Sequence, residues 1–200
     1  MIINFRSALD TITVFGSVGT TNYDVTFTNL DGQQQGFIRG IPAGRLSAQI
    51  MEILRARAVQ KHNVIIRPRA AGIVFHQLDD LDAQGVERVR PVTLLAIETS
   101  WGSFQAWLAT RDAGDDNQAK KAFRQRLCKA LGYDGTASGA TRIPGSFNYQ
   151  PHFESGYPRV LITYSNSGRI VTAAELERLG LVAPAENTET KAAACPPPKL

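Results

Sequence analysis

The feature that most constrains this chain is a group of three aspartates that follows a strongly apolar strand pattern. Residues 72–78 spell Gly-Ile-Val-Phe-His-Gln-Leu, and Asp79, Asp80 and Asp82 come next, with only Leu81 between them. Adjacent carboxylates repel each other, and the end of a strand that lines a cleft solvates them poorly. Two divalent cations would relieve this repulsion, and carboxylates that hold Mg²⁺ or Mn²⁺ serve nucleotidyl-transfer chemistry. The simpler alternative is a solvated acidic turn.

Which aspartates act together depends on the local backbone. Neighbours on a regular strand point to opposite faces, so Asp80 and Asp82 would be the pair that shares a face. A strand end or a β-bulge relaxes that rule and would let Asp79 and Asp80 act together. The residues alone leave both pairs open.

The composition indicates one globular domain and excludes several classes of protein. Of the 200 residues, 43% are hydrophobic and 20% are charged, which is ordinary for a domain with one core. No run approaches the ~18–20 apolar residues of a membrane span and the first residues lack a signal pattern, so we expect a cytoplasmic protein without membrane contact. Cys128 and Cys195 are too few for a disulfide framework or a zinc site built from cysteines. The net charge of +4 is compatible with a nucleic-acid partner but does not establish one.

The apolar periodicities predict an α+β domain with mostly antiparallel strands, in which helices cover one face of one sheet. We expect residues 1–19 to be a flexible arm, residues 20–182 to be the folded domain, and residues 183–200 to be a disordered tail or linker. The predicted strands are 23–28 and 35–39, joined as a hairpin, then 64–67, 73–78, 92–97, 104–108 and 158–164. The predicted helices are 45–60, 117–131 and a short one that starts at the capping box 172–175 and ends at Gly180.

Several short motifs occur in a fixed order along the chain. They are Arg67-Pro68, Asp79-Asp80-Leu81, Glu98-Thr99-Ser100, Phe104-Gln105-Ala106-Trp107, Asp134 after the helix that ends at Gly132, and Arg142-Ile-Pro-Gly-Ser-Phe-Asn148. This ordered set resembles the RepB-like plasmid replication primases, a branch of the archaeo-eukaryotic primase superfamily, over roughly residues 20–170. The resemblance implies a palm-like, RRM-related sheet whose open face carries the carboxylates. It also implies a DNA primase that makes short primers on single-stranded DNA of a plasmid or mobile element from nucleoside triphosphates.

The resemblance also implies the metal ligands. It favours Asp79 with Asp80 over the pair that includes Asp82, and it adds Asp134 as the third carboxylate of a two-metal Mg²⁺ or Mn²⁺ site. No organic cofactor is implied. The alternative for Asp134 is a turn residue, since Asp134-Gly135 is a strong turn pair.

Other residues match nucleotide-contacting positions of the family. Ser100 and Gln105 would face the phosphates, and here glutamine supplies an amide donor with no titratable proton. Arg142 and Asn148 would grip the triphosphate, the arginine in bidentate fashion. The family often has a lysine or arginine soon after this asparagine, whereas this chain has Tyr149-Gln150, so the basic contribution of the segment is open.

The helix predicted at 117–131 carries five cations around an apolar stripe. Lys120, Lys121 and Arg124 are candidate contacts to the backbone of a DNA template, and the simpler alternative is a solvated helix face. We expect His76, Trp107 and Cys128 to be structural residues of the core. The other two cations are Arg126 and Lys129, and the apolar stripe is Ala122, Phe123, Leu127 and Leu131.

Two other functions have sequence requirements that differ from those of primer synthesis. A relaxase would need a His-hydrophobe-His metal pair, which His62, His76 and His152 do not form. A non-catalytic module that binds single-stranded DNA or an origin would not need the three aspartates. The partners implied are a single-stranded template, nucleoside triphosphates, and a replicative helicase or a further helical domain. Larger family members carry a carboxyl-terminal helical region that this chain mostly lacks, so it would be a minimal form or one part of a longer replication protein.

Overall fold

The computed structural model describes residues 3–111, 117–132, 139–153 and 156–183. Within these ranges the chain forms five α-helices, eight strands and two single-turn 3-10 helices, Arg90–Val92 and Pro151–Phe153. The helices are α1 Phe5–Gly16, α2 Ala43–Val59, α3 Ala83–Val89, α4 Asn117–Leu131 and α5 Ala173–Arg178. The strands are β1 Thr20–Thr28, β2 Gln34–Pro42, β3 Asn63–Ala70, β4 Val74–Leu81, β5 Leu95–Ser100, β6 Ser103–Thr110, β7 Thr141–Arg142 and β8 Leu161–Ser165.

The described strands form two antiparallel sheets rather than the single sheet that the sequence predicted. The first sheet has the order β2-β1-β3-β7 and the second has the order β4-β6-β5-β8. The α+β class and the β1–β2 hairpin are confirmed. The division into two sheets depends on pairings between distant strands, such as β3 with β7, which local periodicity cannot reveal.

Two hydrophobic clusters hold the sheets and helices together. One joins α1, α2 and the inner face of the first sheet to one face of the second sheet, where Ile97 and Trp107 lie. The other joins the opposite face of the second sheet to α3, α4 and α5 through residues such as Leu108 and Leu127. Because both faces of the second sheet are covered, β6 is almost entirely buried. Among the described residues, no helix is both long and apolar enough to cross a membrane.

The prediction of a flexible amino-terminal arm is wrong for residues 5–16, which form α1. Ala8, Ile12 and Phe15 of this helix are buried in the first cluster. Phe15 packs edge-on against Trp107, with ring centroids 5.3 Å apart. The prediction rested on the glycine, serine and threonine residues toward the end of this segment, but the Thr11 hydroxyl donates to the Ser7 carbonyl one turn earlier, 2.8 Å away, so it is satisfied within the helix.

The start of α1 is hydrogen-bonded to the segment 142–148, which is one of the sequence motifs. Asn4 caps the helix, and its backbone N–H donates to the Gly145 carbonyl over 3.1 Å. Gly145 has a φ of +89°, and a Cβ at this position would lie 2.0 Å from the Asn4 carbonyl oxygen. Glycine is therefore required for the amino-terminal helix to approach the segment that follows Arg142.

Smaller differences have local causes. The strand predicted at 92–97 begins only at Leu95, because Pro91 lies in a 3-10 turn just before it. The strand predicted at 158–164 begins at Leu161. The helix predicted at 117–131 has these bounds, and the Thr172 side chain caps α5 by accepting from the Glu175 N–H, as the capping box predicted. The expected tail lies outside the described residues from position 184 onward.

Candidate active site

The acidic end of β4 contains a β-bulge. Leu78 lies opposite Ala106 on β6 and Leu81 lies opposite Phe104, so Asp79 and Asp80 together face one residue of β6. Asp80 has a φ of +55°, which is left-handed backbone. The period-two alternation of the strand is broken at this point, which removes the geometric objection to a pair of adjacent aspartates.

The two carboxylates of the bulge have different surroundings. Asp79 is half-buried, and its Oδ1 accepts from Gln105 Nε2 over 2.9 Å and from the Asp80 backbone N–H over 3.0 Å. Asp80 is exposed. One carboxylate is thus fixed by its neighbours, while the other is open to solvent or to a ligand.

Asp82 has a structural function that sequence reasoning missed. It is the amino-terminal cap of α3, and its Oδ1 accepts from the Gly85 N–H over 2.7 Å. An aspartate followed by a helical turn is a common capping arrangement, so the signal was present in the sequence. The cap accounts for this third aspartate without a metal ion.

Gln105 lies against the aspartate rather than in open solvent. Its side chain is buried, and its amide nitrogen donates to Asp79. Its Oε1 is buried and has no hydrogen-bond partner among the described residues. Gln105 therefore positions Asp79, a role the sequence did not predict.

Arg142 lies on β7, which pairs with β3, and it interacts electrostatically with Asp79. Burial lowers the pKa of Arg142, and the negative charge of Asp79 opposes that effect. Arg142 Nε donates to Asn63 Oδ1 over 3.0 Å, and the same oxygen accepts from the Tyr149 N–H over 2.8 Å. Arginine stays charged in proteins, so Asn63 orients a permanent cation beside the acidic strand end.

Asn148 and Ser100 are neighbours through the backbone of β5. Asn148 is buried, and its Nδ2 donates to the Thr99 carbonyl over 3.0 Å and to Gln150 Oε1 over 3.2 Å. Ser100, the next residue, is half-buried and pairs with Ser103 at the β5–β6 turn. The Asn148 amide thus ties the segment after Arg142 to the end of β5.

Gln77 is a second residue that the sequence analysis did not single out. Its Oε1 accepts from the N–H groups of Gly139, at 2.8 Å, and Ala140, at 3.1 Å, and its Nε2 donates to the Ala140 carbonyl. These bonds hold the entrance to β7 against β4, two residues before Asp79. The sequence indicated this role only by placing a polar residue in a largely apolar strand. Gln77 is buried there, and a buried polar side chain needs hydrogen-bond partners.

The third predicted ligand, Asp134, lies outside the described residues. Within the described ranges no group of three His, Cys, Asp or Glu residues is arranged to hold a metal ion. The acidic centre that can be described is therefore the pair Asp79 and Asp80.

The predicted DNA-binding residues lie on α4. Lys120 and Arg124 line an open cavity of about 480 Å³ that Arg67 and Arg69 also line, and Lys121 is exposed. Arg126 has a structural role instead, because it forms an ion pair with Glu177 and donates to the Ala183 carbonyl.

The residues predicted to be structural are buried. His76 contacts the Thr110 hydroxyl over 2.9 Å, and burial lowers its pKa to about 4. Trp107 is fully buried and Cys128 is a buried thiol.

Comparison with known proteins identifies the fold. No family model matches the sequence, and no curated protein matches it. Solved structures do match, and they show that this chain has the fold of the catalytic core of the archaeo-eukaryotic primases.

The particular structures are those of primase RepB' and of a cyanophage primase-polymerase. The crystal structure of primase RepB' aligns with a TM-score of 0.67 and 22% identity, over 86% of this chain and 62% of that one. The catalytic domain of RepB' in complex with initiator DNA aligns with a TM-score of 0.66 and 22% identity, over 86% of this chain and 93% of that one. The AEP domain of the cyanophage S-2L primase-polymerase aligns with a TM-score of 0.56 and 13% identity, over 90% of this chain and 99% of that one. The chain thus spans less than two thirds of the longer RepB' chain but nearly all of the isolated catalytic domain.

Proposed function

We propose that this chain is a DNA primase domain that makes short primers on single-stranded DNA of a plasmid or mobile element. The reaction would be a metal-dependent nucleotidyl transfer from nucleoside triphosphates. The observation that carries the proposal is the β-bulge, which sets Asp79 and Asp80 side by side at a strand end in a fold shared with primase catalytic domains. Left-handed backbone is uncommon for a residue other than glycine, and bulges and such backbone are frequent next to functional sites.

The donor atoms of the bulge fit a hard divalent cation. Both side chains are carboxylates, and Mg²⁺ is usually held by one or two carboxylates together with substrate phosphates. Asp79 and Asp80 would therefore hold Mg²⁺ or Mn²⁺, with Asp134 as the predicted third ligand. When bound, such ions activate the primer hydroxyl and neutralise the leaving pyrophosphate.

The other side chains of the site would bind and position the substrates. Gln105 holds the Asp79 carboxylate in place, and Arg142, oriented by Asn63, is available to the triphosphate. Ser100 would contact the phosphates, and Asn148 would act through the β5 end to which it is bonded. On α4, Lys120, Lys121 and Arg124 would contact the template backbone.

The test is the incorporation of labelled nucleotide on circular single-stranded DNA. The protein should extend or start chains in the presence of Mg²⁺ or Mn²⁺, and a chelator should stop the reaction. A module that only binds single-stranded DNA would retain the template and incorporate nothing, and that result would refute the proposal.

A further inference from the structure

The first sheet has one covered face and one uncovered face. Tyr23, Val25 and Phe27 of β1 are buried against α1 and α2, whereas the alternating residues Asp24 and Thr26 line an open groove of about 380 Å³. We call this surface the outer groove. Its other lining residues are Phe37, Arg39, Ile65, Arg67, Arg69 and Ala140.

The register of the strands shows that the outer groove leads to the candidate active site. Phe37 lies opposite Thr26, and Thr26 lies opposite Ile65. Ile65 in turn lies opposite Arg142 on β7, and the residues just before β7 are hydrogen-bonded to Gln77 of β4, two residues before Asp79. Directly opposed residues share a face, so one row of side chains crosses all four strands, over about 14 Å for three strand spacings.

The charge of the outer groove is positive. Three arginines line it against one carboxylate, Asp24. Burial acts to raise the pKa of Asp24, but hydrogen bonds from Arg69 and from the Gly40 N–H, with the charges of Arg69 and Arg67, lower it overall. Asp24 therefore stays ionised and fixes Arg69, which donates to its Oδ2 from Nε over 3.0 Å. Arg67 Nε is buried without a hydrogen-bond partner among the described residues, so this guanidinium has donor capacity left.

A second cavity extends the same surface. Arg67 and Arg69 also line the cavity of about 480 Å³ that is lined by Lys120 and Arg124 of α4. The two cavities share these arginines, so basic side chains continue from Arg39 on β2 to α4.

We infer that a single strand of DNA lies along the outer groove, with its phosphates on Arg39, Arg67 and Arg69 and one base stacked on Phe37. Phe37 is half exposed on the edge strand, where a base could reach its face. Cations along a groove, interleaved with an exposed aromatic ring, are what single-strand binding requires. A single triphosphate would need its donors gathered at one point, whereas Arg39 lies on β2 and Arg67 and Arg69 lie on β3, with β1 between these two strands. That this strand is the template of a polymerising enzyme rests on the proposed function.

The experiment measures the binding of a fluorescent oligo-dT to the full chain by anisotropy, without nucleotide, over a range of salt concentrations. The double variant Arg39→Gln/Arg67→Gln should flatten the slope of log K against log[salt] by about 1.4, which is about 0.7 for each lost phosphate contact. Phe37→Ala should weaken binding roughly five-fold or more and leave the slope unchanged, because stacking carries no charge. The matched control is Arg45→Gln, an exposed arginine on α2 at the covered side of the same sheet, and it should change neither quantity.

The outcomes separate this inference from the proposed function. An unchanged slope and affinity in correctly folded groove variants, checked by thermal unfolding, would overturn the inference even if the wild type incorporates nucleotide. A raised nucleotide KM with unaltered DNA affinity would overturn it as well, and would make the groove a triphosphate site. If the groove variants behave as expected while the wild type incorporates no nucleotide, the inference that the outer groove binds DNA is supported and the proposed function is refuted.

Discussion

At the scale of single residues, Asp80 combines a strained backbone with an exposed carboxylate. Its φ of +55° lies in the left-handed region, where a residue with a Cβ is disfavoured by about 1 kcal/mol, although aspartate tolerates it better than most. Such strain persists where the surrounding structure imposes it, and it is concentrated at functional sites. If Asp80 binds a metal ion, a substitution that relieves this strain should increase stability and abolish activity.

We therefore expect Asp80→Gly to raise the free energy of unfolding by up to about 1 kcal/mol and to abolish primer synthesis. Urea unfolding and nucleotide incorporation measure the two effects. Asp80→Asn is the control for strain, since asparagine also tolerates this backbone, so it should be inactive at nearly wild-type stability. A glycine variant that is less stable, or one that remains active, would contradict this explanation of the bulge.

Gln105 and Arg142 should fail in different ways, because one positions a carboxylate and the other is available to the substrate. Gln105→Leu removes the donor to Asp79 and should raise the metal concentration needed for half-maximal activity by about ten-fold or more. Arg142→Gln should instead raise the nucleotide KM by about one to two orders of magnitude, as expected for the loss of a charge-assisted contact. Titrations of metal at fixed nucleotide, and of nucleotide at fixed metal, distinguish them. If both variants showed the same metal and nucleotide dependence, the separate roles of Gln105 and Arg142 would be refuted.

At the scale of elements, the sequence predicted the helices and strands whose apolar pattern is contained within the element itself. The β1–β2 hairpin and α4 were found because their apolar residues repeat with the period of their own structure. The bulge at Asp79 and Asp80 was only one option, because it is defined by the pairing of β4 with β6, which are distant in sequence. For the same reason, the sequence could not reveal which groups Gln77 and Gln105 are hydrogen-bonded to.

The helix α1 was missed because glycine, serine and threonine are frequent toward the end of residues 1–19, yet its packing predicts a large energetic contribution. Phe15→Ala should lower the free energy of unfolding by about 3–5 kcal/mol, since the ring packs against Trp107, Phe75 and Tyr23 in the core. Leu9→Ala, on the exposed side of the same helix, should cost less than about 1 kcal/mol. If Phe15→Ala and Leu9→Ala both changed the free energy of unfolding by the same small amount in urea, α1 would not be packed in the core.

The contact between β4 and α4 should make stability depend on pH. His76 lies between Thr110 and Phe123, and its pKa is about 4 in the fold against 6.5 for the unperturbed side chain. As the pH falls, the unfolded chain therefore protonates His76 at a higher pH than the folded chain does. The free energy of unfolding should fall from pH 6.5 toward pH 4 by up to about 1.4 kcal/mol per pH unit. His76→Gln should reduce this slope, whereas His152→Gln, at an exposed histidine, should not. Equal slopes for the wild type and His76→Gln would exclude His76 as the cause.

At the scale of the whole molecule, the two sheets have different functions in the proposal. The second sheet is buried on both faces and presents its acidic strand end, while the first sheet is covered on one face and presents arginines on the other. Their meeting point is Arg142, on the last strand of the first sheet and close to Asp79 of the second. A cationic surface that leads to a carboxylate pair is what a polymerising enzyme requires to hold a polyanion beside its metal ions.

The most direct test of the central claim compares three aspartate variants in one assay of metal-dependent nucleotide incorporation. Asp79→Asn and Asp80→Asn should lose activity, because each removes a metal-binding carboxylate. Asp82→Asn should keep near wild-type activity, since asparagine still caps α3 through its side-chain oxygen. The opposite pattern, with Asp82→Asn inactive and Asp79→Asn active, would contradict the assignment of the bulge as the catalytic centre.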